Sequence, residues 1–297
     1  MAKAATATAP ALEQRPGTYI AMASDKSAGK STIGNVIADM LRASSKTVHL
    51  YDPDKTNGAL LKRHGTRDEN KNLLREQDPA KGVGYYALAK ERSRDMFVNC
   101  LDVNPLPDIV FADMGAKSLD NLKQIVDRGN GVKGLIDVIN GQGFNMTLVH
   151  VISNLSDTTA SVRAYLDVFG DRVNHIAVIN EYHGTKVGPL NKPSTDPAAR
   201  ANWGETDFPF WFGHYDPDKG QDTGYKTRDE FLAMGGTEVL FPELSKRVYA
   251  RLVATTLTFK GAETAKAFVL SDKSNIKRFN EEAQAAFEPV KHLLGLD

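Results

Sequence analysis

Short apolar runs alternate with segments of helical periodicity along most of this chain. A run of about five apolar residues has the length of a strand buried on both faces, whereas a repeat at three and four residues marks one face of a helix. Their alternation predicts an α/β fold, in which helices cover a sheet. The runs of strand length are 19–23, 47–51, 108–113, 146–152, 175–179 and 239–241.

Helical segments are predicted between and after these runs. The first follows residue 30, where Ile33, Val36 and Ile37 recur at helical spacing. The charged stretch 59–101 is expected to be mostly helical, with these inward positions: Tyr85, Leu88, Ala89, Met96 and Phe97. Further helices are predicted near 118–128 and at 157–169, 243–256, 262–270 and 273–294.

The segment 183–225 is rich in Pro, Gly, Asp and aromatic residues, which predicts an irregular insertion. It is not expected to be a linker, because four of its side chains need burial: Phe208, Phe210, Trp211 and Phe212. We expect residues 1–17 to be a flexible tail. Residues 18–297 are expected to form one domain with this insertion and a helical C-terminal part.

Composition narrows the class of protein. A hydrophobic content of 41% in 297 residues predicts a full core, and a formal net charge of zero gives no reason to expect a nucleic-acid partner from charge alone. Cys100 is the only cysteine, which excludes a disulfide framework or a cysteine-held metal cluster within one chain. Neither a membrane span nor a signal peptide is apparent, so a cytoplasmic location is expected.

The clearest motif follows the first predicted strand. Residues 24–31 fit the phosphate-binding pattern G-x-x-x-x-G-K-[ST] at every position except the first, where Ser24 replaces glycine. Backbone N–H groups at the start of the next helix favour phosphate charge. The pattern places Lys30 at the β- and γ-phosphates and the Ser31 hydroxyl on Mg²⁺.

Carboxylates follow two other predicted strands. Asp113 closes an apolar strand before Met-Gly, as a carboxylate that binds a Mg²⁺-bound water does, and Gly115 offers a backbone N–H to the γ-phosphate. Asp52 and Asp54 lie two apart after the second strand, a spacing that suits one carboxylate near the metal and one on an attacking water. The alternative for Asp113 is a turn or cap residue, and the alternative for Asp52 and Asp54 is an Asp-Pro turn.

Together these motifs resemble the ParA/MinD superfamily, P-loop ATPases that position plasmids, chromosomes, division sites and other cargo. The resemblance covers about residues 18–260 and implies a three-layer fold, with a predominantly parallel sheet flanked by helices. It also implies binding of ATP and Mg²⁺, slow hydrolysis, an ATP-dependent homodimer and a protein partner that stimulates hydrolysis.

The resemblance assigns roles to single residues. It implies that Lys30 and Asp54 are catalytic, with Asp54 orienting the hydrolytic water, and that the metal is held by Ser31, Asp52 and Asp113. Asn180 matches the residue that reads the adenine edge, and Pro242 lies in the stretch that closes over the base. The nucleotide-binding set is Asp25, Lys26, Ser27, Ala28, Gly29, Lys30, Ser31, Thr32, Gly115, Asn180 and Pro242.

One departure from the family pattern is in the loop itself. Asp25 occupies the position of the signature lysine, five residues before Lys30, and Lys26 follows it. In the family that lysine reaches the partner chain's phosphates across a dimer. We expect Lys26 to contribute in its place, and such an atypical loop is similar to the outlying plasmid-stability and conjugation members StbB and TraL.

Two other functions fit the same motifs. A metabolic P-loop enzyme, such as a dethiobiotin-synthetase-like ligase or a small-molecule kinase, shares this loop and needs a substrate pocket. A nucleotide-binding scaffold that hydrolyses little is also consistent with Asp25. A role like that of the nitrogenase iron protein is excluded, because its cluster needs two cysteines per chain.

The C-terminal third bears on further partners. Basic residues there interleave with acidic ones, which leaves both non-specific DNA binding and a mixed solvated face open. An apolar stripe is interrupted by Pro289, so it is expected to pack on the body rather than on a membrane. The stripe is Ile276, Phe279, Ala283, Ala286, Phe287, Val290, Leu293 and Leu294.

Overall fold

The computed structural model describes residues 16–23, 28–53, 58–88, 90–115, 118–123, 125, 131–185, 206–216, 221–224 and 226–297. Within these residues, seven strands form one sheet in the order β3-β2-β4-β1-β5-β6-β9, and every neighbouring pair is parallel. The strands are β1 (Gly17–Met22), β2 (Val48–Asp52), β3 (Gly84–Tyr85), β4 (Ile109–Asp113), β5 (Phe144–Ile152), β6 (Asn174–Asn180) and β9 (Thr237–Phe241). A separate antiparallel hairpin joins β7 (His214–Asp216) to β8 (Gln221–Thr223).

Helices lie on both faces of the sheet, which gives the three-layer α/β fold predicted from the sequence. The described helices are α1 (Lys30–Ala43), α2 (Ala59–His64), α3 (Glu91–Arg94), α4 (Met96–Asn99), α5 (Ser118–Leu122), α6 (Gly131–Gly141), α7 (Ser156–Phe169), α8 (Pro209–Phe212), α9 (Lys226–Ala233), α10 (Lys246–Val253), α11 (Phe259–Ala262) and α12 (Leu270–Phe287). Short 3₁₀ turns cover Gly170–Arg172, Glu181–His183 and Glu288–Leu294.

The first face of the sheet is covered by α1, α2 and the C-terminal helices. Strand residues such as Ile20, Val149 and Val178 pack there against α1 and α12. The predicted C-terminal stripe packs on this core, as expected, and α12 ends at Phe287, where the 3₁₀ turn with Pro289 begins. No described helix is long and apolar enough to span a membrane.

The second face is covered by α4, α6 and α7, and towards β9 by α8 and α9. Its core is rich in aromatic rings, among them Tyr19, Tyr86, Phe97 and Phe169. Near β6, Trp211 packs with Phe208, Phe212 and Phe231. The expected burial of the insertion's aromatic residues is therefore confirmed for three of the four, whereas Phe210 is 37% exposed.

The stretch 59–101 corrects the sequence prediction, because most of it is not helical. Helix α2 ends before Gly65, and local hydrogen bonds then fold the chain into turns. The Gln77 side chain, for instance, bonds both the N–H and the C=O of Thr66, at 2.8 and 3.0 Å. Of the predicted inward positions, Leu88 and Phe97 are buried, Tyr85 is half-buried and Met96 is 42% exposed, while Ala89 lies outside the described residues.

One further helix prediction was wrong, and one helix was not predicted. No helix spans 262–270: the single turn α11 precedes that range and ends at Ala262, and the Thr258 hydroxyl accepts a hydrogen bond from the Gly261 N–H at its start. Helix α6 was not predicted, although Val132, Leu135 and Ile139 bury one helical face. Its three glycines lower helix propensity, so tertiary packing decides its structure.

Candidate functional site

The candidate site lies at the carboxyl edge of the sheet, beside β1. From β1 the chain passes to β2 and β4 on one side and afterwards to β5, β6 and β9 on the other. Such a change of direction leaves a crevice at the carboxyl ends of parallel strands, where ligands of open α/β sheets bind. The loop that follows β1 leads into α1, whose first residue, Lys30, contacts the end of β4.

The end of that loop has the geometry of an anion cradle. Gly29 is the N-cap of α1 in the left-handed conformation, with φ 93°, and as a glycine it has no side chain to cap the helix. The N–H groups of Lys30 and Ser31 are in the first turn, where a helix offers no acceptor, and this turn has no acidic residue. Asp25, Lys26 and Ser27 lie outside the described residues, so their predicted roles stay predictions.

Lys30 reaches the neighbouring strand. Its Nζ donates hydrogen bonds to Asp113 Oδ1, at the end of β4, and to the carbonyl oxygen of Met114. Asp113 is 6% exposed, and the Tyr86 hydroxyl donates to its backbone oxygen from the second face. The structure thus brings together the two charged residues that the motifs placed at the phosphates and the metal.

Asp52, at the end of the next strand, has a different set of contacts. It is 3% exposed, and its Oδ2 accepts hydrogen bonds from the N–H groups of Leu60 (3.0 Å) and Leu61 (3.4 Å), in the first turn of α2. A Cβ on Gly58 would lie 2.3 Å from this carboxylate. Asp52 therefore caps α2, a role that the sequence analysis did not predict, and Asp54 lies outside the described residues.

On the opposite side of the loop, Asn180 closes β6. Its Nδ2 donates to the Ala28 carbonyl oxygen (2.8 Å), and its Oδ1 accepts from the Tyr182 N–H (3.2 Å). A Cβ on Gly29 would lie 2.3 Å from Asn180 Nδ2, so only glycine fits this close approach. Pro242 follows Phe241, which pairs with Asn180 in the sheet, and both predicted base-side residues therefore lie at one edge.

Three residues near the loop were not predicted from the sequence. The Tyr249 hydroxyl lies 3.0 Å from Thr32 Oγ1, and its ring centroid is 6.0 Å from that of Tyr182. Lys246 Nζ lies 5.6 Å from the centroid of the Tyr182 ring. No sequence signal identifies Tyr249, because it is 217 positions from Thr32 and has no motif of its own.

The side chains present fit a nucleotide-bound Mg²⁺. Magnesium is commonly held by one or two carboxylates or hydroxyls together with substrate phosphates rather than by an all-protein cage. Ser31 and Asp113 would supply these donors, with Gly115 half-buried beside them. In the part of the chain that is described, no group of three or more His, Cys, Asp or Glu side chains could hold a metal without a ligand's help.

A second concave feature lies at the same edge of the sheet. A cavity of about 550 Å³ opens beside Asp52 and is walled by Leu61, Leu73, Val83 and Tyr85. Arg75 and Glu76 also line this cavity. It is large enough for a small organic molecule.

The basic residues of the C-terminal third are mostly paired with acids. Arg247 and Arg251 both contact Asp272, which is fully buried. Other pairs have the same mixed character: Lys260–Glu263, Lys277–Glu281 and Arg278–Glu282. Among the described residues this surface is therefore mixed in charge rather than basic.

No protein-family model and no curated protein matches the sequence. Solved structures similar to this chain include the MinD cell division protein of Aquifex aeolicus, with a TM-score of 0.40 and 11% identity over 88% of this chain and 96% of that one. A plasmid partition protein from Borrelia burgdorferi B31, bound to AMPPNP, has a TM-score of 0.42 and 10% identity over 93% and 100%.

The MinC:MinD complex of Aquifex aeolicus has a TM-score of 0.39 and 12% identity over 91% of this chain and 96% of that one. These neighbours are of the kind that the motifs resemble.

Proposed function

We propose that this chain is a ParA/MinD-like ATPase, a nucleotide-switched dimer that positions or partitions plasmid, chromosome or other cargo. One observation carries the proposal. The motif residues Gly29 and Lys30 form a helix start with a glycine N-cap next to a central parallel strand, and Lys30 contacts the carboxylate that ends the adjacent strand. A helix start of this kind suits a nucleoside triphosphate.

In this proposal the first turn of α1 receives the phosphates. Lys30 exchanges its contacts with Asp113 and Met114 for phosphate oxygens, and that exchange frees Asp113 to take part in the metal shell with Ser31. Bound Mg²⁺ supplies positive charge to the β- and γ-phosphates. One N–H of the Asn180 side-chain amide already donates to the Ala28 carbonyl oxygen. In this proposal the remaining hydrogen-bonding positions of the amide contact the adenine edge.

The remaining parts of the function rest on the resemblance. Asp54 orients the hydrolytic water, ATP promotes a homodimer to which Lys26 contributes, and a protein partner stimulates hydrolysis. Most cations of the C-terminal third are paired, which favours a protein partner over DNA as the main contact there. The proposed location is the cytoplasm.

The test is ATP affinity in Lys30→Ala, measured by isothermal titration with Mg²⁺. Loss of the fixed cation at the phosphates should weaken binding at least tenfold, or about 1.4 kcal/mol. Lys277→Ala, on the exposed side of α12, removes an equal charge far from the loop and should bind normally. Equal ATP affinity in the wild type and in Lys30→Ala would contradict the proposed nucleotide site.

The cavity beside Asp52 favours a second candidate, a small-molecule kinase or ligase of the dethiobiotin-synthetase kind. A substrate there would lie next to the carboxyl ends of β2 and β3. Phosphate release that depends on a small metabolite would support this enzyme, whereas release stimulated by DNA or a protein supports the ATPase switch. Tight binding with negligible release under all conditions would indicate the weakly hydrolysing scaffold.

A further inference from the structure

The hydrogen bond between Tyr249 and Thr32 joins α10 to the first turn of α1. The two oxygens are 3.0 Å apart. A phenol is the more acidic of the two hydroxyl groups and the better donor, so we take Tyr249 to donate and Thr32 to accept. The Thr32 proton then remains available to another acceptor, and chained hydrogen bonds of this kind strengthen one another.

The acceptor that suits this proton is an anionic oxygen at the helix start. Thr32 is two residues beyond Lys30, in the first turn of α1, where the N–H groups of a helix and its dipole favour negative charge. A threonine hydroxyl that donates there adds a third directed donor to the two N–H groups of Lys30 and Ser31.

Tyr249, on α10, is held in place by contacts of its own ring and of its helix. Its ring packs against Tyr182, and Arg247 and Arg251, two residues to either side, bind the fully buried Asp272 of α12. The Tyr249 hydroxyl is therefore fixed before a ligand arrives, so little conformational entropy is lost when it acts.

We propose that Tyr249 is a positioning residue for the nucleotide. It orients the Thr32 hydroxyl so that Thr32 donates to a phosphate oxygen, and it acts on the phosphate part of the ligand rather than on the base. This inference rests on the proposed nucleotide site and names a residue that the loop motif does not contain.

The experiment compares ADP and adenosine binding in Tyr249→Phe, by titration or by competition. Phenylalanine keeps the ring but removes the donor, so ADP affinity should fall about fivefold, the usual range for one neutral hydrogen bond. Adenosine affinity should not change, because adenosine has no phosphate. Tyr182→Phe removes a hydroxyl from the same ring pair with no bond to Thr32 and should leave both affinities as they are.

A double-mutant cycle tests the route through Thr32. In a Thr32→Val background, Tyr249→Phe should cause no further loss of ADP affinity, because the group that it orients is absent. Thr32→Ser keeps the hydroxyl and should restore the response to Tyr249→Phe. Circular dichroism of each variant checks that the fold is intact.

The outcomes distinguish a failure of the positioning role of Tyr249 from a failure of the nucleotide site. If the wild type binds ADP and Tyr249→Phe binds it equally well, the positioning role is wrong while the nucleotide site stands. An equal loss for adenosine and ADP would also overturn it, since Tyr249 would then shape the base side. If the wild type binds neither ATP nor ADP, the proposed function fails and this inference falls with it.

Discussion

The two faces of the sheet are stabilised by different chemistry. On the first face, hydrocarbon side chains of α1 and α12 pack on strand residues such as Ile20 and Val149. On the second face, buried aromatic and imidazole rings also form hydrogen bonds. The Tyr19 hydroxyl donates to the Phe97 carbonyl oxygen (2.6 Å), and His150 Nδ1 lies 3.2 Å from the Ala23 carbonyl oxygen.

The faces also differ in how their titratable groups combine. On the first face, burial raises the pKa of Asp39 to about 6 and lowers the pKa of His64 to about 4. On the second face, burial lowers the pKa of His150 to about 3 and also lowers the pKa of His175, 3.0 Å away. On the first face, the opposite pKa shifts have opposite effects on how stability changes with pH, so they offset each other. On the second face, both pKa values are lowered, so their effects add.

The largest expected effect is on the hydrocarbon face. Phe279 of α12 is 2% exposed and packs against Phe241 and Phe259. Phe279→Ala should lower the free energy of unfolding by about 3–5 kcal/mol, because it removes buried surface and leaves a cavity. Urea unfolding followed by fluorescence measures the loss. Phe279→Leu, which fills more of the space, should lose less, and equal losses would show that packing does not dominate here.

The next effect concerns a polar group at the edge of the first face. Asp52→Ala removes the acceptor of two buried N–H groups at the start of α2, so stability should fall by about 2 kcal/mol. Thermal unfolding measures it, with Asp52→Asn as the matched variant that keeps one acceptor oxygen and should lose about half as much. An unchanged melting temperature in Asp52→Ala would show that Asp52 does not stabilise α2.

The smallest effect is a loss of stability in acid, which we assign to the second face. The unfolded chain takes up protons on histidine near pH 6.5, but His150 and His175 resist protonation in the fold. The unfolded state therefore binds more protons, and stability falls as pH drops. From about pH 6.5 to 5.5, the expected loss is about 1–2 kcal/mol.

Two variants separate the contributions of the faces to this pH dependence. His150→Phe keeps a ring but cannot titrate, so the slope of stability against pH should become shallower. Asp39 acts in the opposite sense to His64, because its raised pKa makes the folded protein take up a proton as pH falls through about 6. Asp39→Asn should therefore steepen the slope. A steeper slope in His150→Phe, or a shallower one in Asp39→Asn, contradicts the comparison.

Six of the seven strands of the sheet were predicted from the sequence, whereas the two-residue strand β3 was not. Central parallel strands are buried on both faces and are mostly apolar, so β4, β5 and β6 appear as apolar runs that few polar residues, such as Thr147 and His150, interrupt. The phosphate-loop motif likewise predicted Lys30 and Asp113 as partners in one site, since both follow such runs and parallel strands end at one edge.

Other features depend on contacts that a linear pattern does not contain. The metal role of Asp52 stays a prediction, whereas its capping of α2 was not predicted. Turn chemistry at residues 65–83 overrides the charged helical pattern of that stretch. Helix α6 did show apolar residues at helical spacing, which glycines obscured. Tyr249 reaches Thr32 only through the tertiary fold.

The shared core of α1 and α12 has a consequence for synthesis on the ribosome. The apolar side of α1 is made early, yet the residues of α12 that cover it follow more than 200 positions later. At a synthesis rate of about 5–20 residues per second, the apolar side of α1 stays exposed for on the order of ten seconds or longer before α12 can pack on it. Exposed apolar surface of this kind invites aggregation, so we expect the nascent chain to need a holding chaperone until α12 emerges.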